Sequence, residues 1–291
     1  MSDETSAGRV WRAELFARWT AARQTPLLVI GARDDAPISM AECVRFVYEH
    51  VRELPERPLD GIDLMLVGAG LPCQVGARLA SLLREYARRL DVFVTGAVGP
   101  GETLASLAAD TLWMHPMATL TTVLPASEGR EGLQSLVGDL VDARGDVDPQ
   151  RHAWLDGADP DAVGDALHRV RWAQAQVAQL VASRLQPPDD AAADELARAL
   201  TRGVQRSGEP LARREARALS ALPVRTPDPD LEGLAFELHV AYEHELALLS
   251  PRTDGPRAII ESATMLHTLA VDAAGETPRP VWSRHFEEAV H

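Results

Sequence analysis

Apolar positions along the 291-residue chain fall into short unbroken runs and longer stretches spaced at helical intervals. VWRAELFARWTAARQ carries Trp11, Leu15, Phe16 and Trp19 on one helical face, so a helix opens the chain. PLLVIGA then reads as a short buried strand, and ISMAECVRFVYEHVREL as an amphipathic helix. From Ile62 to Val123 the two regimes interleave. IDLMLVGAGL is a strand ending in a glycine turn, PCQVGARLASLLREYARRL a long helix, and DVFVTGAVGPG a second strand and glycine turn. ETLASLAAD is a short Ala-rich helix, and TLWMHPMATLTTV a third strand. The helices are long enough to cross between parallel strands, so the pattern predicts an α/β fold of repeated β-α units.

From Pro125 to Pro160 the chain becomes rich in Gly and Asp, with a helix at SEGREGLQSLVGDLV and a loop after it. Three helices follow: DAVGDALHRVRWAQAQVAQLVASRL, DDAAADELARALTRGVQ and LARREARALSAL. Asp189 and Asp190, after Pro187-Pro188, suit the N-cap of the second. PVRTPDPD holds three prolines and reads as a stiff linker. Beyond it come one amphipathic helix, LEGLAFELHVAYEHELALL, and a β-hairpin, RAIIESATMLHTLAVDA. The organisation expected is a main domain over 1–225 and a helix-and-hairpin extension over 226–291.

Composition narrows the chemistry. All 29 basic residues are arginine, which excludes a Ser-Lys dyad, a Schiff-base lysine and a Walker lysine. Asparagine is absent too, so a Cys-His-Asn arrangement is excluded. A net charge of −14 argues against a nucleic-acid partner, since phosphate binding needs a concentrated positive face. Arg213, Arg214 and Arg217 read as a solvated helix face. No apolar run approaches the about 18 residues of a membrane span, and MSDETSAGRVW lacks a signal-peptide pattern, so a cytoplasmic protein is expected. Cys43 and Cys73 suit a reducing compartment, and neither has a spacing that implies zinc or a redox pair. No metal and no cofactor are expected.

The order of these elements, and the words TLASLAADTLWMHPMATL and GEPLARREARALSALPV, resemble the serine dehydrogenase proteinase family. That family is related to the Clp protease proteolytic subunit and signal peptide peptidase within the crotonase-like superfamily. The resemblance covers about residues 10 to 225. It implies a Clp protease/crotonase-like fold of repeated β-β-α or β-α units with helical additions and a C-terminal β-hairpin. It also implies a first glycine turn that supplies oxyanion N–H groups and a second turn, with Gly99 and Gly101, that presents a nucleophilic serine. Here the serine position is Pro100, which has neither a hydroxyl nor an N–H. Where the family reads Pro-Gly-Gly this chain has Gly68, Ala69, Gly70 and Leu71, and where it carries a His-Asp pair this chain has Ser207 and Gly208. The departures imply a pseudoprotease that works as an oligomeric scaffold or binding subunit, with itself or with other proteins, and with a peptide-like ligand. Relatives assemble through helical arms, and the helices carrying Trp11, Leu15 and Trp19, and Leu234, Leu238, Tyr242 and Leu246, are the candidates here.

Other readings stay open at this point. Cys73 is the intrinsically good nucleophile near the first turn, Thr103 lies near a helix N-terminus, and Ser106 is expected to be buried under the sheet. Glu102 is either a stabilising first-turn carboxylate or an acid–base group, the latter in a hydrolase or in a hydratase or isomerase acting on a CoA thioester. His115 could face the same site, although a lone strand histidine is commonly structural. Gly68-Ala69-Gly70 is no dinucleotide fingerprint: the third glycine position is Cys73, and Asp91 precedes its strand. His239 and His244 stand five apart rather than four, which fails the zinc-protease pattern and suggests surface or interface residues. His285 and His291 have no supporting motif.

Overall fold

The computed structural model describes residues 3–54, 58–123, 159–184, 189–201, 210–249, 255–272 and 279–286. The parallel core is β1 (Leu27–Ala32), β2 (Ile62–Gly68), β3 (Leu90–Val94), β4 (Thr111–Met114) and β7 (Val224–Arg225). Three antiparallel strands extend it: β8 (Ala258–Ser262), β9 (Met265–Asp272) and β10 (Arg279–Phe286). The eight form one sheet in the order β10-β9-β8-β1-β2-β3-β4-β7. A small pair, β5 (Thr119–Leu120) and β6 (Leu211–Ala212), stands apart.

The helices are α1 (Asp3–Arg23), α2 (Met40–Arg52), α3 (Cys73–Tyr86), α4 (Pro100–Ser106), α5 (Pro160–Ala182), α6 (Asp190–Thr201), α7 (Arg213–Ala218) and α8 (Pro229–Glu245). Strand periodicity assigns them to layers. Leu28, Ile30, Leu64, Leu66, Val92 and Val94 point into one core with α2 to α6, while Leu27, Val29, Met65, Val67 and Phe93 point into the other with α1 and α8. The result is a three-layer α/β/α arrangement with a mostly parallel sheet. Helix starts follow their caps: Ser39 accepts from the Glu42 N–H, Asp159 from Asp161, Asp189 from Ala192, and Asp228 from Leu231.

Several expectations need correction. The proline-rich stretch holds β7, which pairs with β4, because two residues are enough to continue a parallel edge between prolines. LARREARALSAL is helical over Arg213–Ala218 alone, since Leu211 and Ala212 pair with β5. Nor is Arg213 a solvated residue: it donates to the Met114 carbonyl at 3.2 Å. The sequence pattern places no strand at Arg279–Phe286, yet β10 is there, exposed or half-buried along its length and therefore without strict alternation. The C-terminal stretch joins the sheet through β8, which pairs directly with β1. The two apolar stripes that are candidates for arms, on α1 and α8, pack largely against each other and the sheet, with Leu15, Trp19, Leu234, Leu238, Tyr242 and Leu246 buried and Trp11 exposed. The helix expected at SEGREGLQSLVGDLV lies outside the described residues. Among the described residues no helix is long and apolar enough to cross a membrane.

The ends of β1 and β2 meet backbone to backbone. Gly68 has φ +82°, and a β-carbon on it would overlap the Ala32 carbonyl, while one on Gly70 would overlap the Arg33 carbonyl. Gly164 in α5 faces open space. Gly70→Ala is therefore expected to cost on the order of 3 kcal/mol because backbone must move, whereas Gly164→Ala should stabilise by about 0.5–1 kcal/mol through helix propensity. Urea denaturation of both variants checks the contrast, and equal midpoints would contradict the close approach at Gly70.

Candidate functional site

The two glycine turns lie side by side at the C-terminal ends of β2 and β3, where ligands bind in open α/β sheets. Their contact is made by backbone. A β-carbon on Gly99 would meet the Ala69 carbonyl, one on Gly101 the Leu71 carbonyl, and one on Gly76 of α3 the Gly101 carbonyl. Gly99 is the N-cap of α4 and Pro100 its first helical residue, a position that suits proline because that N–H has no partner within a helix.

Glu102 fills the space this creates. It is buried, 1% exposed, and its Oε1 accepts the Leu71 N–H at 2.8 Å. The first glycine turn thus holds the chain's own carboxyl group. Burial pushes the Glu102 carboxyl up to about 8, against the opposing pull of N–H groups from Leu71, Glu102 itself, Gly99 and Gly70. Oε2 is buried with no hydrogen-bond partner among the described residues. A proton on that oxygen relieves the cost of an unpaired buried charge.

The other candidates are not arranged to react. Cys73 is 4% exposed with its Sγ 3.6 Å from the Val123 carbonyl, and burial, then the nearby Glu102 carboxylate, push its thiol up to about 12. Cys43 is raised to about 12 by the same causes in the same order. Thr103 Oγ1 accepts the Thr121 N–H at 3.1 Å and is fully buried. Ser106, buried as expected, donates to the Thr103 carbonyl at 2.7 Å. His115 does not join Glu102. Its ring stacks on Phe236 of α8 with centroids 5.6 Å apart, its Nδ1 accepts the Met117 N–H, and burial lowers its pKa. Ser207 and Gly208 lie outside the described residues.

Two histidine clusters escape sequence reasoning. His239, expected at a surface or interface, is buried: its Nδ1 lies 2.9 Å from Thr95 Oγ1 and its Nε2 3.5 Å from Glu243 Oε1. Gly96 makes room for this ring, since a β-carbon there would touch it. His244 is exposed. The second cluster joins His50, Ser262, His267 and Glu49, drawn from α2, β8 and β9, and no spacing in the sequence announces it. Among the described residues no group of three or more His, Cys, Asp or Glu is disposed to hold a metal ion. Compared with models of known protein families and with curated proteins, the chain matches none.

The raised carboxyl has a definite linkage sign. Glu102 holds its proton to about 8 in the folded chain, against an ordinary value of 4.5, so its contribution to stability is full below 4.5 and is lost as pH rises through 8. Glu102→Gln keeps an acceptor for Leu71 and cannot ionise. The variant should gain stability relative to the parent by on the order of 1–3 kcal/mol between about pH 5 and pH 9. Denaturant melts at both pH values check this, and a parent–variant difference independent of pH would contradict the buried, raised carboxyl.

Proposed function

We propose that the chain is a catalytically degenerate, serine-peptidase-like protein of the Clp protease/crotonase-like kind, related to the serine dehydrogenase proteinase family, which acts through binding and assembly. The observation that carries this reading is the Glu102 carboxyl group on the Leu71 N–H. An oxyanion turn that is to stabilise a developing negative charge must have its donors free for it. Here a donor is already engaged by a fixed acceptor, and the position expected for the nucleophile is Pro100. The raised thiol of Cys73 and the engaged hydroxyl of Thr103 leave no replacement nucleophile at the turns. Fold and activity separate readily in this way.

The assembly part of the proposal rests on surface. With most of the α1 and α8 stripes internal, β10 is an edge of the sheet among the described residues and offers self-association its ladder, and it exposes Val281 and Phe286. A homo-oligomer, or a hetero-oligomer with an active relative, is the expected working state. Light scattering at micromolar concentration should give a mass above one chain. A monomer would remove self-assembly and leave the heteromeric form.

For chemistry, incubation with a fluorophosphonate probe followed by peptide mapping should show no label within residues 95–106, and unstructured polypeptides should stay intact. Stoichiometric labelling at Thr103 or Ser106 would overturn the degenerate reading. A second reading has one specific observation in its favour: the raised carboxyl of Glu102, whose Oε2 has no partner among the described residues, suits a group that moves a proton on a thioester substrate. Calorimetric binding of crotonyl-CoA, lost in Glu102→Gln, would select it. Absence of binding leaves the first.

A further inference from the structure

We propose that Ser262 is an activated serine that accepts a short acyl group, with His50 as its base, at the end of β1 away from the glycine turns. Ser262 pairs with Leu28 near the start of β1, whereas the turns meet Ala32 at its other end, so the two sites are separate. It closes β8 immediately before the exposed residues Ala263 and Thr264.

Four side chains stand in a row. Ser262 Oγ lies 2.8 Å from His50 Nδ1, His50 Nε2 lies 3.1 Å from His267 Nδ1, and His267 Nε2 lies 3.4 Å from Glu49 Oε2. One tautomer satisfies the first two links of the row, with the Ser262 hydroxyl donating to Nδ1 of His50 and the His50 Nε2–H donating to Nδ1 of His267, while the buried Nε2 of His267 approaches Glu49 without a hydrogen bond among the described residues. Nucleophile, base and orienting partner follow one another in the order that nucleophilic catalysis requires. Glu49 is itself held by Arg45 at 3.0 Å and Arg284 at 3.3 Å, and Phe46 stacks on His267 with centroids 4.4 Å apart. A cavity beside Ser262 and His50 is walled by apolar residues including Leu27, Leu28, Val51 and Ile62. Its free space of about 10 Å³ takes a group no larger than a water or a methyl, which limits the acyl chain to a short one.

The step is an acyl transfer. A lone pair on Ser262 Oγ attacks the carbonyl carbon of a short ester while the hydroxyl proton passes to His50 Nδ1. The bond from carbon to the alcohol oxygen then breaks, and the proton leaves with that oxygen. Attack by water on the acyl-serine releases the acid and restores the hydroxyl. His50 and Ser262 touch the reacting atoms, and His267 and Glu49 position the base. Burial, and after it the neighbouring His267, push His50 down to about 3, so the ring stays neutral through the ordinary pH range.

The test is acetylation of the full chain by 4-nitrophenyl acetate, followed by peptide mapping. Because the chain has no lysine, off-target acetylation of ε-amines cannot occur. Acetyl is expected on Ser262, at a rate without an inflection near the ordinary histidine value of about 6.5, and at least about tenfold faster than octanoyl from the matching ester. Ser262→Ala and His50→Gln should lose the label. His267→Gln removes the neighbour that lowers His50, so the acid limb of the rate profile should move to higher pH. An unlabelled Ser262 in the folded parent overturns the proposal. A label that survives in folded His50→Gln overturns the role of the base. Neither outcome touches the glycine-turn reading, which stands or falls on residues 95–106.

Discussion

Two backbone turns in contact without intervening side chains set the constraint on which the candidate site depends. Gly68 and Gly70 let the end of β2 lie on the end of β1, Gly99 and Gly101 let the entry to α4 lie on the first turn, and Gly76 lets α3 accept α4. Any β-carbon in this stack would displace backbone, and backbone in a packed interior has nowhere to go. The stack brings Glu102 within 2.8 Å of the Leu71 N–H. It also closes the space around the carboxyl group, which is why the group is raised and why one of its oxygens has no partner among the described residues.

Arginine fixes the opposite face. Asp63 and Asp91 are neighbours in the β2–β3 register, and Arg23 of α1 bridges them, at 3.0 Å to Asp63 and 2.5 Å to Asp91, while its guanidinium lies over Phe93 and Trp113. Trp19 adds a hydrogen bond to Asp63 at 2.9 Å. Midway along α1, the buried Arg12 meets Glu245 and Glu261, each at 2.8 Å. Buried pairs of this kind add little net stability over an apolar core, yet breaking one leaves a charge in low dielectric at a cost of about 3–5 kcal/mol. Their effect is to fix how α1 lies on the sheet. That placement makes its apolar stripe part of the core.

A planar guanidinium suits the bridge across two carboxylates better than an ammonium, because its donors diverge in a rigid fork. The absence of lysine, which reads from sequence as an exclusion of chemistry, has a structural side here. The charged groups that hold α1, β2, β3 and β8 together use forked, directional donors throughout.

What the sequence determined by itself is local and periodic. Alternation and helical spacing place β1 to β4, α1 to α3 and α8, and composition bars lysine chemistry, because each depends on residues near one another in the chain. Two exposed or marginal pieces, β7 and β10, escape that reading for the complementary reason: a two-residue strand has no period, and a strand exposed along most of its length has no buried face to alternate. Which side chains meet was decided by the tertiary structure alone. Glu102 and Leu71 are 31 residues apart, Thr95 and His239 are 144 apart, and His50 and Ser262 are 212 apart. A carboxylate at a helix start looks the same in sequence whether it is solvated or sealed against a glycine turn. Its protonation and its role follow from the backbone that closes over it, and that closure exists only once the strands have paired and the turns have stacked.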